Sequence, residues 1–194
     1  MRHFRYFLYI FFLFIFLFSC TKNDKISETI VIEKSVLNSR DLTLNSNGLS
    51  QERIMIKTVH GNIYFQFYPL KAPNTVTRIL QLINESFYDG LTFHRVIENF
   101  VIQGGDPTGK GFGGTGIKLK AEFNSLQHTK GTVAMARAEN DIDSADSQFY
   151  ISLNTLPHLD GKYTIFGQVT EGVEVLHKIA RGDKILSMSL VKEK

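Results

Sequence analysis

The feature that most constrains this chain is the brevity of its apolar segments. Between Leu91 and Val169 they read LTFHRVI, FVIQGG, IKLKAEF, GTVAMARA, SQFYISL and YTIFGQV, and turn residues bound each one. Segments this short read as strands, not as helices that need three turns or more. Upstream, RIMIKTVHGNIYFQFYP holds two alternating runs around Gly61-Asn62, which predicts a hairpin. Leu186, Met188 and Leu190 alternate with serines and predict a last strand. Two segments carry helical spacing instead. In PNTVTRILQLINESFYDG, Val76, Ile79, Leu80 and Ile83 fall on one face, with Asn74 or Thr75 as the expected cap. In EGVEVLHKIARG, Val173, Leu176 and Ala180 do so, with Gly182 as the expected C-cap. About eight short strands and two helices predict a mainly β fold: a closed eight-stranded antiparallel β-barrel capped by two α-helices. Closure would hide strand edges that otherwise invite pairing with other chains.

The N-terminus is different in kind. Arg2, His3 and Arg5 precede an unbroken apolar run from Tyr6 to Phe18, and Cys20 follows. The run falls short of the ~20 residues a membrane span requires. A basic start and a short apolar core fit an export signal. The chain's single cysteine cannot form an internal disulfide. The stretch LFSC resembles a bacterial lipoprotein signal, which implies cleavage before Cys20 and its lipidation. Residues 1–19 are expected to be the signal peptide, 20–51 a lipidated, flexible polar tether, and 52–194 the folded domain. That predicts a membrane partner through a lipid anchor, in the bacterial cell envelope on the non-cytoplasmic side. Without Arg2 and Arg5 the mature chain has 20 basic and 19 acidic residues, near neutrality. No basic patch points to nucleic acid.

Within the strands, FHRVIENFVIQGGD places Arg95 and Gln103 among large apolar residues. On a regular strand Arg95 shares its face with Leu91, Phe93 and Ile97. In SQFYISL, Gln148 and Tyr150 face one way while Phe149, Ile151 and Leu153 face the core. A polar-aromatic face has no packing reason to be there. Small residues beside Arg137 leave room for something to lie against the sheet.

FHRVIENFVIQGGDPTGKGFGG, GTVAMARA, DSQFYISL and HLDGKYTIFGQV resemble, in order and spacing, the cyclophilin family of peptidyl-prolyl cis-trans isomerases. The likeness covers roughly Glu52 to Val191. It implies isomerisation of X-Pro bonds in proline-containing polypeptides, with no cofactor and no metal; a monomer is expected, although the sequence does not give the oligomeric state. It implies Arg95 as the catalytic arginine and Gln103 as the site glutamine. Phe100, Val101, Ala136, Arg137, Ala138, Gln148, Tyr150, His158, Leu159 and Tyr163 are implied as substrate-binding residues. Val101 is smaller than the methionine often found there, and Arg137 replaces a common asparagine. Tyr150 replaces phenylalanine, so the pocket is expected to gain a hydroxyl. His158 and Tyr163 replace the tryptophan and histidine of animal cyclophilins, so cyclosporin should bind weakly. Phe100 and Val101 cannot face one pocket from a flat strand, so a bulge is expected between them.

Other patterns carry less. GFGGTG, Gly111 to Gly116, matches a dinucleotide fingerprint but no helix opens from it. ENDIDSADS lacks the glycine and distal glutamate of a calcium loop and reads as an exposed acidic loop. The histidines lack metal-ligand spacing. His158 and Asp160 near Ser152 are not accompanied by a G-x-S-x-G elbow. Two rivals to the enzyme remain open at this point. One is a tethered module that binds proline-containing segments with little turnover, and the other is a structural membrane lipoprotein.

Overall fold

A computed structural model describes residues 52–192. The expected signal peptide, Cys20 and the expected tether lie outside those residues.

The chain forms β1 (Glu52–Thr58), β2 (Gly61–Phe67), α1 (Pro73–Asn84), β3 (Arg95–Ile97), β4 (Val101–Gly104), β5 (Thr132–Met135), β6 (Phe149–Ser152), β7 (Ile165–Glu171), α2 (Val173–Leu176) and β8 (Ser187–Lys192). All pairs are antiparallel, in the order β3-β4-β6-β5-β7-β2-β1-β8. Among the described residues the fold is therefore mainly β, with eight strands and two α-helices as expected. Closure is not a continuous ladder, however. β3 and β8 end the order without pairing to each other. Instead the irregular segments before them meet, through a Thr92–Lys184 bridge and bonds from Phe93 N to Asp183 O and Ile185 N to Leu91 O. The result is a strongly curled sheet whose edges approach through irregular backbone.

Alternation puts Ile54, Ile56, Ile63 and Phe65 inside the curl with no exposure. Val76, Ile79, Leu82 and Ile83 of α1 pack against the same core, with Phe93, Ile102, Phe149, Ile151 and Phe166. Each such burial contributes about 1.5–3 kcal/mol.

Several local expectations need correction. The β1–β2 turn is Val59-His60, two residues before the pair the sequence suggested, since Thr58 pairs with Gly61. IKLKAEF is not a strand: only Leu119 pairs, in an isolated bridge with Ala145. Neither Asn74 nor Thr75 caps α1. Its N-cap is Ala72, and the carboxylate of Glu122 accepts from Asn74 N, Asn74 Nδ2 and Thr75 N at 3.0, 2.8 and 2.8 Å. Helix α2 ends after one turn with His177 as its C-cap, not Gly182. It buries Val175 and Leu176, and Ala180 is exposed.

Arg95 does not share a face with Phe93. Phe93 is in the core, while Arg95 and Ile97 are exposed. Regular strand begins only at Arg95, so the two-residue period does not extend back across the irregular stretch.

Candidate active site

Register builds the site. Arg95 on β3 pairs with Gln103 on β4, Gln103 with Tyr150 on β6, and Tyr150 with Ala134 on β5. These four form one row across adjacent strands. Neighbours in a row face the same side of a sheet, here the side away from the main core. A second apolar cluster lies there: Val101, Ala134, Tyr150, Leu156 and Ile165, with Phe100, Ala136, Leu159 and Tyr163 against it.

Over that cluster opens a hollow of about 270 Å³ lined by Arg95, Phe100, Val101, Gln103, Ala136, Arg137, Tyr150, Leu159 and Tyr163. Every one was expected from the sequence. Gln148 and Ala138 line an adjoining hollow of about 490 Å³, which shares Gln103, Ala136 and Arg137 with the first. His158 lies behind the wall, its ring stacked on Phe100 at 5.9 Å between centroids.

Phe100 and Val101 share the hollow without a bulge. The β4–β6 register is unbroken, and Phe100 belongs to the turn before β4. Asn99 takes φ 58°, the left-handed region that asparagine tolerates best among non-glycines, and this turn presents Phe100 beside Val101.

The Arg95 guanidinium is exposed, lies 5.6 Å from the Phe100 ring centroid and donates to Gln103 Oε1 at 3.2 Å. Gln103 Nε2 donates to Gln148 Oε1 at 2.9 Å, and Gln148 Nε2 donates to the carbonyls of Gly111 and Gly113 at 3.1 and 2.8 Å. Two amides thus connect the 111–113 loop to the arginine, and their directions agree throughout.

Arg137 is committed elsewhere. It donates to the carbonyls of Lys162, Ala138 and Glu139 at 3.0, 2.8 and 3.0 Å and stacks 4.7 Å over Tyr163. Its flat face is wall, and its donors tie two loops together.

The expected pocket hydroxyl is also corrected. Tyr150 Oη lies 2.8 Å from Nε2 of His128, which has no exposure. His128 Nδ1 and backbone N both meet Asp160 Oδ1, at 2.8 and 2.7 Å. Asp160 therefore hydrogen-bonds to His128, and to neither His158 nor Ser152. Burial first, and then the Tyr163 and Asp160 charges, push the Tyr150 hydroxyl above its ordinary range, so it stays protonated. Sequence reasoning missed His128 and Asp160 as one unit, because they are separated by 32 residues.

The glycine loop has a packing reason. A Cβ on Gly113 would come within 2.1 Å of Asp106 Oδ1, and one on Gly114 within 2.6 Å of Asp146 Oδ2. The acidic stretch is not simply exposed. Asp146 accepts from Thr115 N, Thr115 Oγ1 and Gly116 N at 2.9, 2.6 and 2.7 Å, Asp143 from Ala121 N at 2.8 Å, and Asp141 pairs with Lys118 at 3.0 Å. Burial raises the Asp106 carboxyl, but donors from Thr108, Gly111 and Gly113 outweigh it and hold it at about 2. A further fold requirement sits at Gly105, with φ 86°, where a Cβ would lie 2.4 Å from Ser147 O.

An arginine beside an apolar hollow, with no bound group required, suits a reaction that breaks conjugation without making a covalent bond. Residues 53–192 match the profile of the cyclophilin type peptidyl-prolyl cis-trans isomerases. The peptidyl-prolyl cis-trans isomerase of Synechococcus elongatus is 44% identical over 141 residues, covering 72% of this chain and 96% of that protein. Peptidyl-prolyl cis-trans isomerase B of Bacillus subtilis is 48% identical over 124 residues, 63% and 87% of the two chains. The crystal structure of a Cryptosporidium parvum cyclophilin type isomerase superposes with a TM-score of 0.69 at 28% identity, covering 74% of this chain and 99% of that one. The chain belongs to the cyclophilin-type peptidyl-prolyl cis-trans isomerases, enzymes that rotate the peptide bond preceding proline.

Proposed function

We propose that Arg95 catalyses this rotation by donating a hydrogen bond to the prolyl nitrogen as the amide twists. The barrier, about 18–20 kcal/mol, arises because that nitrogen shares its lone pair with the carbonyl. When the amide is perpendicular the lone pair is localised and becomes an acceptor. A guanidinium is always protonated and suits the role of fixed donor. Gln103 orients it, and the Gln148 amide in turn holds Gln103.

Magnitudes assign the rest. One charge-assisted hydrogen bond contributes about 1.5–3 kcal/mol. A rate gain of about 10⁵ requires about 7 kcal/mol. The hollow supplies the remainder by gripping the proline ring between Phe100, Val101, Tyr150 and Leu159 and by excluding water from the twisting bond. The observation that carries this reading is the Arg95 guanidinium held at the rim of that hollow, over Phe100. Arg95→Ala should lower kcat/KM at least about a hundredfold, about 2.7 kcal/mol, with unchanged unfolding. NMR exchange on an X-Pro peptide measures this, and a near-wild-type rate refutes it.

The enzyme acts, in this reading, on exported polypeptides at the bacterial cell envelope. Residues 1–19 direct export, lipidated Cys20 anchors the chain, and residues up to 51 tether the domain on the non-cytoplasmic side. The basic start, the short apolar run and the cysteine support it. Labelling cells with a radioactive fatty acid should mark the wild-type chain and not Cys20→Ala. Equal labelling of both excludes the anchor.

A further inference from the structure

Beyond Arg95, away from the apolar wall, lies a third hollow of about 410 Å³. Its lining includes His94, Arg95, Gln103, Lys110 and Arg181, and no aspartate or glutamate. Arg95 and Gln103 also line the proline hollow, so the two cavities meet at the reacting position. A polypeptide seated by its proline advances about 3.3–3.6 Å per residue. The third hollow is therefore within reach of residues a few positions from the proline.

The charges there are unspent. Arg95 donates to Gln103, but Lys110 and Arg181 are exposed and form no ion pair among the described residues. The floor is His94, 7% exposed, with no hydrogen-bond partner for either ring nitrogen. Burial is the largest influence and disfavours its charged form; Asp106 opposes it next, Arg95 and Arg181 add to it, and the nearby Gln148 amide opposes. The nearby acid, Asp106, is 1% exposed and its oxygens already accept from Thr108 and Gly111. Positive charge thus stands on three rim side chains around a neutral floor. Such a rim attracts anions through salt-sensitive encounter and weak, specific pairing.

We propose that this hollow reads a substrate carboxylate, an aspartate or glutamate a few residues from the isomerising proline, and so gives the enzyme a preference for acidic proline segments. The proposal rests on the proline hollow assigned above. Lys110 and Arg181 set the preference and take no part in bond rotation.

The test uses the full chain in non-ionic detergent and two sets of proline peptides. The sets differ only by Asp or Asn at the second and third positions on either side of proline. Exchange NMR should give one Asp peptide a kcat/KM about fivefold above its Asn twin, through KM, as expected for rim charges. Lys110→Ala with Arg181→Ala should erase that difference and leave the Asn peptide unchanged, and about 0.5 M salt should do the same. Equal rates for all Asp and Asn pairs, on an enzyme that Arg95→Ala silences, overturn the acidic preference alone. Full turnover by Arg95→Ala overturns the placement of the proline hollow, and this proposal with it.

Discussion

The Tyr150 hydroxyl donates to His128 Nε2 across 2.8 Å, beneath the apolar hollow. The direction follows from the other ring nitrogen. His128 Nδ1 lies 2.8 Å from Asp160 Oδ1, a carboxylate that can only accept. Nε2 is then the bare nitrogen, and the phenol proton points to it. Asp160 also accepts from the His128 backbone, so one carboxylate fixes both the ring and the chain carrying it. The hydroxyl is consumed inside the protein, and the hollow meets only the Tyr150 ring.

Tyr150→Phe should therefore separate stability from activity. Losing the hydroxyl leaves a buried imidazole nitrogen without its donor, which costs about 1–3 kcal/mol. Urea unfolding should show that loss. The isomerase kcat/KM should stay within about threefold, because the ring wall is unchanged. A tenfold drop in activity with unaltered stability would mean that the hydroxyl touches substrate.

The two buried histidines predict an acid-sensitive fold. Burial lowers the pKa of His128 most, against the raising effect of Asp160, and it does the same for His94. A folded pKa below the unfolded value, 6.5, means the unfolded chain binds more protons in that window. Stability is then complete above about pH 6.5 and declines as pH falls toward the folded values. The carboxylates act lower. The Asp160 carboxyl is lowered chiefly by bonds from His128, and that of Asp106 lies at about 2. Their contribution is present above the unfolded value, 3.8, and disappears as pH falls through the folded one. Unfolding free energies should fall in two stages, from about pH 6.5 and again below about pH 4. His94→Leu should make the first stage shallower and leave the share that belongs to His128. A profile level from about pH 7.5 to pH 5 contradicts the account.

How much of this was legible in the sequence depends on distance along the chain. Alternation on β4 and β6 separates Gln103 and Tyr150 from Ile102, Phe149 and Ile151, and that separation is local. The site row followed from it. Phe93 was misplaced because the chain at Thr92 bonds to Lys184, a partner far along the sequence. IKLKAEF has a strand's composition, but its amides at Leu119, Ala121 and Glu122 bond to Ala145 O, Asp143 Oδ1 and Thr164 Oγ1, none of them in a named strand, so no ladder forms. The α1 cap, the Tyr150–His128–Asp160 chain and the loop latches from Asp146 join segments with more than twenty intervening residues. Nothing in local periodicity encodes such partners.

Gln148 is the position where loop order and arginine orientation meet. Gln148→Leu keeps a side chain of similar bulk but removes the acceptor for Gln103 and the donor for Gly111 and Gly113. Gln103 is then free to rotate, and Arg95 loses its fixed direction. The expected result is a kcat/KM about tenfold lower, carried by kcat, with the fold intact. Gln148→Glu retains the acceptor and should recover part of kcat. Wild-type kcat in Gln148→Leu would remove the amide chain from the mechanism.

Glu122 offers a stability test remote from the hollow. Its two carboxylate oxygens take the first free donors of α1, which has no side-chain cap of its own. A carboxylate at a helix N-terminus is favoured by hydrogen bonding and by the helix dipole together. Glu122→Gln keeps one acceptor and loses the charge, so it should cost about 1 kcal/mol. Glu122→Ala, which loses both acceptors, should cost about 2 kcal/mol. Because α1 packs on the main core and not on the second cluster, kcat/KM should match the wild type in both variants at temperatures where they stay folded. Urea titrations and exchange NMR on the same samples make the comparison. Equal stability of all three proteins would show that α1 does not depend on this distant cap.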